Sequence, residues 1–496
     1  MSGSTPGSFG PILRDTLVYG LGGLVVRLFG FFTLPIYTRL FEPSEYGVIS
    51  LVSAAMGVAS ILLGFGVLSG VQRHFFDHED SQSRVRIVSS GFWFLLSWVV
   101  LITIPAALAS RGLSHLTLGS TEYTDLFAVG LASAAITALF SYLQNVLRIT
   151  FHPIQFSVVG FLSASLSVAA SLILVLRFGL GLLGFFLGTL IGSSAATVVC
   201  LVMVSGSIRF TFSAVSLRAV LVFAAPLVPA GLAYWILDLS NRLLLGRLGS
   251  LDQVGLYAIA GSLIAVMEFV RGAFGQAWSP RAYQIFTSDT RYPRIFGKTL
   301  LYVLLLFSFM AVGVSVFARE GLLVLTTPKY SGAAAAAGPL ALGAVAYAST
   351  QLTALGISLE RKTRYIAYYA WVAAGVNVGL NLLLIPKWGM MGAAVATAFS
   401  YSVLTIAYYA SGQRLHRLQF EPAKLLKVGG AAVLYVSLAH FLDLLGVAAA
   451  LPLKVFYCLS YFPFLRLLGV FEDYEIRYVT ATLHRLRGLP GRCLKR

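Results

Sequence analysis

Arg39-Leu-Phe-Glu-Pro-Ser-Glu-Tyr-Gly47 and Arg247-Leu-Gly-Ser-Leu-Asp-Gln-Val-Gly255 share one frame: an Arg-Leu pair, six residues and a glycine, displaced by 208 positions. The displacement recurs. Gly64 and Gly272, Arg73 and Arg281, the pairs Gly181-x-x-Gly184 and Gly389-x-x-Gly392, and Thr189 and Thr397 all stand 208 residues apart. One coincidence in a glycine-rich chain carries no information. A constant offset at every marker indicates an internal duplication.

Around these copies the chain is too apolar for water. Of 496 residues, 58% are hydrophobic and 11% charged, and the mean hydropathy is +0.83. Soluble globular proteins carry roughly 25% charged residues. A helix spans the hydrocarbon core with about 20 mostly apolar residues. Runs of that kind cover 12–41, 46–71, 85–108, 125–147, 156–176 and 180–205, then 217–245, 254–277, 296–316, 333–359, 365–385 and 390–411, and finally 428–445 and 447–468. Strands of a membrane barrel would be about ten residues long with alternating polarity, which these runs lack. The expectation is an all-α, polytopic membrane protein of about fourteen transmembrane helices. A six-helix lobe occupies 12–205 and a second occupies 217–411. Two additional transmembrane helices follow within 424–468, then a basic cytoplasmic tail over 469–496. Six is an even number, so both lobes enter the bilayer in the same sense and their pseudo-twofold axis runs along the membrane normal.

The formal charge of +17 resides mostly in short connectors. With the N-terminus placed inside, about 25 of the 36 Lys and Arg fall on the inner side. The outer side holds Arg39, Arg111, Arg177, Arg247, Arg319, Lys329 and Lys387. This positive-inside bias puts both termini in the cytoplasm and the chain in the cell membrane as a multi-pass protein. The basic connectors face anionic membrane lipids. Nucleic-acid binding would need a concentrated basic patch with aromatic platforms, and no such motif is present. Cys200, Cys458 and Cys493 give neither a disulfide framework nor zinc spacing. Cys493 stands where a prenylation box would place it, but Lys495 breaks the aliphatic pair. The polar, glycine-rich stretch 1–11 does not read as a cleavable leader. No Walker motif is present, and the sequence calls for neither a metal nor a cofactor.

Two lobes around a cleft suit alternating access, so the charges inside the spans matter most. Each costs roughly 2.5–3.5 kcal/mol on insertion and usually faces a cavity or a partner. They are Arg27, Asp238, Arg242, Glu268, Arg271 and Lys454. Asp238 and Arg242 lie four apart and Glu268 and Arg271 three apart, spacings that put each pair on one helical face. Both can be plain internal ion pairs, or Asp238 and Glu268 can serve as a proton or Na⁺ site. Arg27 has no acidic residue within a helical turn and reads as a cavity arginine for an anionic ligand, because the planar guanidinium binds phosphate through two donors and stays charged. Lys454 is expected to snorkel to the interface. Asn377 and Asn381, four apart, read as helix glue, as do Gln144 and Asn145. Pro35, Pro226, Pro229 and Pro339 are potential kinks.

Arg14-Asp-Thr-Leu-Val-Tyr-Gly, Arg27, Pro35, Thr38-Arg39-Leu40-Phe41 and Glu45-Tyr46-Gly47 resemble the opening of the polysaccharide-transport flippases. Pro226-Leu-Val-Pro229, Trp235-Ile-Leu, Ser240-Asn241-Arg242, Val254-Gly255-Leu256-Tyr257 and Gln276-Ala277-Trp278-Ser279-Pro280 resemble that family's seventh and eighth helices. The superfamily also holds multidrug exporters and lipid II flippases. The resemblance covers roughly 13–411 and departs at Asn241, where the family often has Asp. It implies a membrane transporter, not an enzyme, that flips a lipid-linked, isoprenoid diphosphate oligosaccharide from inner to outer leaflet. Arg27, Arg242 and Arg271 would hold the phosphates, and Tyr234 and Trp235 would stack on sugars, with Trp278 either joining them or, as the preferred reading, belonging to the aromatic belt. Partners implied are the glycolipid, membrane lipids, Na⁺ or H⁺ as a coupling ion, and polysaccharide assembly proteins. The alternatives are a cation-coupled multidrug or small-molecule exporter and a multi-helix glycosyltransferase or polymerase. Three intramembrane arginines against two acids disfavour the first, whose substrates are cations. The 109–124 and 317–332 connectors hold one acid each, Glu122 and Glu320, which disfavours the second.

Overall fold

The structure is a computed structural model that describes residues 32–78, 80–442 and 447–472. No strand occurs among the described residues, and twelve helices there are long and apolar enough to cross a membrane. The first sequence run is described only from Phe32 on, and the last forms the helix Val447–Leu467. The chain is therefore an all-helical, multi-pass membrane protein. Its outside agrees with this: Leu101, Leu108, Ile173, Leu176 and Val202 are all exposed, which only lipid accommodates cheaply.

Three of the runs are not single helices: 333–359 divides into Ala334–Thr353 and Leu355–Leu359, and two others break more sharply. The run 46–71 divides into Pro43–Gly64 and Val67–Phe75. Between them Phe65 and Gly66 both take positive φ, 45° and 67°, a left-handed step that no α-helix continues through. The run 217–245 divides into Ala214–Ala224 and Leu227–Leu248 at Pro226, whose ring fixes φ and removes a donor. The run 254–277, by contrast, extends to Leu251–Ser288.

Packing partners recur across the offset of 208. Pro153–Leu176 and Thr124–Ile149 both pack on Gly181–Val204, and 208 residues on, Arg364–Trp388 and Ala334–Thr353 both pack on Met390–Leu415. Gly181 and Gly389 each open their helix with positive φ, 49° and 53°. Thr189 donates to the Phe185 carbonyl (3.2 Å) and Thr397 to the Ala393 carbonyl (2.8 Å), four residues back in each case.

The halves meet where the sequence repeat was first read. The 251–288 helix crosses the 43–64 helix so closely that a Cβ on Gly47 would stand 2.0 Å from the Leu251 carbonyl oxygen, and one on Gly255 1.9 Å from that of Pro43. Each glycine thus receives the other half's backbone, as a twofold relation through the crossing requires. Beside it Lys329 pairs with Glu42, Tyr330 donates to the Phe41 carbonyl at 2.8 Å, and Arg247 donates to the carbonyls of His115 and Leu116. All these contacts involve connectors that the charge count places outside.

Lys454 does not snorkel. It is 1% exposed and its ammonium lies 2.8 Å from Glu320 Oε1, tying the last helix to the short helix Ala318–Leu325. A fully buried ammonium is tolerable only with such a partner.

Candidate functional site

A cavity of about 640 Å³ opens among the 227–248, 251–288, 334–353 and 390–415 helices, with Ile61 from the first half closing one side. Five of the seven candidate site residues read from sequence line it: Tyr234, Trp235, Arg242, Glu268 and Arg271. Their spacing explains the convergence. On the 227–248 helix, 234, 235 and 242 lie within about two turns on neighbouring ridges, and on the 251–288 helix, 268 and 271 share a face. Arg27 lies outside the described residues, as does the side chain of Asp238.

Arg271 is held firmly. Its Nε donates to Glu268 Oε2 at 2.7 Å, and its guanidinium carbon sits 4.3 Å from the centre of the Tyr347 ring. Tyr347 in turn stacks on Tyr401, with centroids 4.6 Å apart. A cation over an aromatic face in a partly desolvated site gains up to about 2 kcal/mol, so the guanidinium is oriented before any ligand arrives. Arg242 is different. Its Nε is buried and has no hydrogen-bond partner among the described residues, a donor left ready for an anion.

Tyr234 and Trp235 are positioned from behind. The Tyr234 hydroxyl lies 3.0 Å from that of Tyr408, which donates to the Ile366 carbonyl at 3.0 Å. The Trp235 indole N–H donates across to the Ala54 carbonyl in the first half at 3.1 Å. Trp278 is not in the cavity wall. It stacks on Phe274 and meets Phe296 edge-on.

Beneath Arg242 a neutral network binds four helices. Asn241 donates to Thr397 Oγ1 (2.9 Å) and to the Tyr257 hydroxyl (3.2 Å). Asn381 donates to Asn241 Oδ1 (2.5 Å) and to Asn377 Oδ1 (2.9 Å), and Ser240 donates to Asn377 Oδ1 (3.1 Å). Asn241, Asn377 and Asn381 are fully buried, and the network among them holds no described carboxylate. Its physical effect is to fix the backbone that carries Arg242. Among the described residues no group of His, Cys, Asp and Glu could hold a metal ion.

Sequence reasoning missed Tyr347 and Tyr401, which sit mid-span, where a phenol needs a partner for its hydroxyl; that position marks a polar neighbourhood without telling a site tyrosine from one that braces a helix. Gln351, which supports Arg271 by donating to its carbonyl at 3.3 Å, was missed as well.

Comparisons with known proteins now bear on this geometry. The family described as "Polysaccharide biosynthesis protein" matches residues 36–335. A curated membrane protein of Methanocaldococcus jannaschii is 27% identical over 187 residues, 35% of this chain, and the match spans 36% of that protein's length. Among solved structures, lipid II flippase MurJ in an inward closed conformation superposes with a TM-score of 0.74 at 13% identity, covering 90% of this chain and 98% of that one. An inward-facing multidrug resistance MATE family transporter of the MOP superfamily gives 0.60 at 15% identity, covering 80% and 94%. A MOP superfamily transporter from Pyrococcus furiosus gives 0.55 at 16%, covering 82% and 95%. At such identities the likeness shows a shared fold.

Proposed function

The chain belongs to the polysaccharide biosynthesis protein family, and from that membership we propose that it moves a lipid-linked oligosaccharide, joined through a diphosphate to an isoprenoid, from the inner to the outer leaflet of the cell membrane. The observation that carries the proposal is the convergence of Arg242, Arg271, Tyr234 and Trp235 on one cavity within apolar helices. A diphosphate offers several acceptor oxygens and negative charge, and guanidinium forks match that geometry. In a low-dielectric site the attraction far exceeds its value in water. Arg242 contributes the unpartnered donor and Arg271 the oriented one, and Arg27 is carried over from the family resemblance as a third. The rings of Tyr234 and Trp235 offer faces on which sugars pack.

Glu268 sets the coupling. In the empty cavity it neutralises Arg271, and an arriving phosphate competes with it for the same guanidinium. Protonation of Glu268, or a Na⁺ held by it, would release Arg271 to the cargo. Parting of the two halves at the Gly47–Gly255 crossing would then expose the cavity to the other leaflet, with both termini remaining cytoplasmic. A cation exporter fits less well, because two arginines against one described carboxylate repel a cationic drug.

The test is reconstitution into vesicles with a fluorescent lipid-linked oligosaccharide and measurement of leaflet exchange. Arg242→Ala and Arg271→Ala are each expected to slow exchange at least tenfold. Full exchange by both variants at normal protein levels rejects the site, and protection of cells against cationic dyes would instead favour the exporter.

A further inference from the structure

Beside the polar cavity lies a second one of about 320 Å³, walled by the 43–64, 81–108, 124–149 and 227–248 helices and the short helix Ser110–Leu118. Its wall is hydrocarbon, with Met56, Leu62, Ile102, Phe127, Leu131 and Leu243 prominent. The side-chain oxygens in that wall are those of Thr103 and Thr117, and Thr117 is already bonded to the Leu113 carbonyl at 2.7 Å. A buried water needs two to four polar partners, whereas apolar cavities stay dry and take apolar guests.

Trp235 lines both cavities. Its indole lies flush on the 43–64 helix, with Nε1 bonded to the Ala54 carbonyl and so near Gly57 that a Cβ there would come within 2.8 Å of it. One aromatic ring therefore separates an anion-binding hollow from a hydrocarbon-lined one. That adjacency is the shape of an amphiphile whose charged group sits directly next to its chain. A water-soluble ligand would have no use for the second hollow.

We propose that this apolar chamber takes the first isoprene units of the cargo's chain while the diphosphate occupies the arginine cavity. The inference rests on the reading that the cargo is an isoprenoid diphosphate. An engineered cavity of about 150 Å³ holds a six-carbon benzene ring, so this chamber has room for roughly twelve carbons, two to three isoprene units. The orientation fits as well. A lipid drawn from the inner leaflet carries its chain toward the outer half of the bilayer, and the chamber borders the 110–118 connector, which the loop charges place outside.

The experiment measures binding of prenyl diphosphates with one, two, three and four isoprene units to the full chain in detergent. Affinity should rise at least tenfold between one and three units and then level off. Ala59→Phe and Ala106→Phe, at two different walls of the chamber, should each remove that gain and leave the one-unit probe within twofold of the parent. A gain that persists in both filled variants, or no gain in the parent, overturns the proposal while leaving the diphosphate site standing. A straight-chain alkyl diphosphate that binds as tightly as the three-unit prenyl probe also overturns it, in favour of ordinary acyl chains. Failure of every probe, including the shortest, sinks the headgroup reading and this inference with it.

Discussion

Replacing Gly47 by alanine tests whether the two halves close against each other through the paired glycines. The added Cβ would stand 2.0 Å from the Leu251 oxygen, and real Cβ atoms essentially never approach closer than 3.0 Å. The helices must therefore part by at least 1.0 Å at the crossing. A rigid shift of that size stretches the 2.8 Å bond from Tyr330 to the Phe41 carbonyl beyond hydrogen-bonding distance. Overpacking costs typically about 1–3 kcal/mol and the lost bond roughly 1 kcal/mol, both charged to the closed state alone. The ratio of closed to open at this face should fall on the order of 30- to 1000-fold, since each 1.4 kcal/mol is a factor of ten. The assay is labelling of Ala265→Cys, in the cavity wall, by a membrane-impermeant maleimide applied to the predicted outer face. Cys200 and Cys458 are buried and do not compete, and Cys493→Ser removes the third thiol. G47A should label at least tenfold faster than its parent. Gly64→Ala is the control, because a Cβ there meets nothing within 4 Å. Equal labelling of G47A and parent, at equal expression, would refute the reasoning.

Glu268→Gln keeps an acceptor for Arg271 but removes the competing charge. For a partly exposed pair worth up to about 1 kcal/mol, inorganic diphosphate should bind up to fivefold tighter in a titration, and unchanged affinity would remove Glu268 from the role of counter-ion. Lys454→Met strands the half-buried Glu320 carboxylate and should cost about 1–3 kcal/mol, lowering the melting temperature in detergent. The double variant with Glu320→Leu should recover most of that loss, and a double variant as unstable as the single would show that the pair does not act as a unit.

Much of the architecture was legible because its causes are local and periodic. Twenty apolar residues make a span whatever they pack against, and a constant offset survives in glycines that the crossing cannot replace. The breaks at Phe65–Gly66 and Pro226 were harder to read. A proline within a span can kink it, cap it or be absorbed, and the left-handed φ of Phe65 has no signature in a residue type that sterics normally keep out of that region. The site was half legible. Charges in a span are costly enough to announce a cavity, so Arg242, Glu268 and Arg271 could be named from the chain alone. Tyr347 and Tyr401 could not, because a mid-span tyrosine looks the same whether its ring supports a guanidinium, as Tyr347 does, or its hydroxyl braces a neighbouring helix, as Tyr408 does. The fate of Lys454 turned on Glu320, 134 residues away in sequence, and no window reads that distance.

The scaffold and the cavity obey different symmetry. Gly47 and Gly255, and Gly181 and Gly389, keep their roles across the offset of 208. The cavity residues do not. At the corresponding positions, Arg242 faces Leu34, Glu268 faces Ser60, Arg271 faces Leu63 and Tyr347 faces Leu139. A closing surface needs both halves, because each glycine receives the other's carbonyl. One headgroup needs one set of charges, and a second set would cost roughly 2.5–3.5 kcal/mol per arginine with no ligand to offset it. Leu34 and Leu63 are accordingly 4% and 1% exposed, packed in hydrophobic cores. Symmetry-related swaps should therefore fail in opposite ways. Leu63→Arg, which recreates Arg271 in the first half, should lose the protein at the stage of insertion and folding. Arg271→Leu should leave it folded at parental levels and silent in leaflet exchange. Quantitative membrane expression and the exchange assay separate the two, and a Leu63→Arg variant that accumulates normally would show that the asymmetry has some cause other than the cost of burying an unmatched charge.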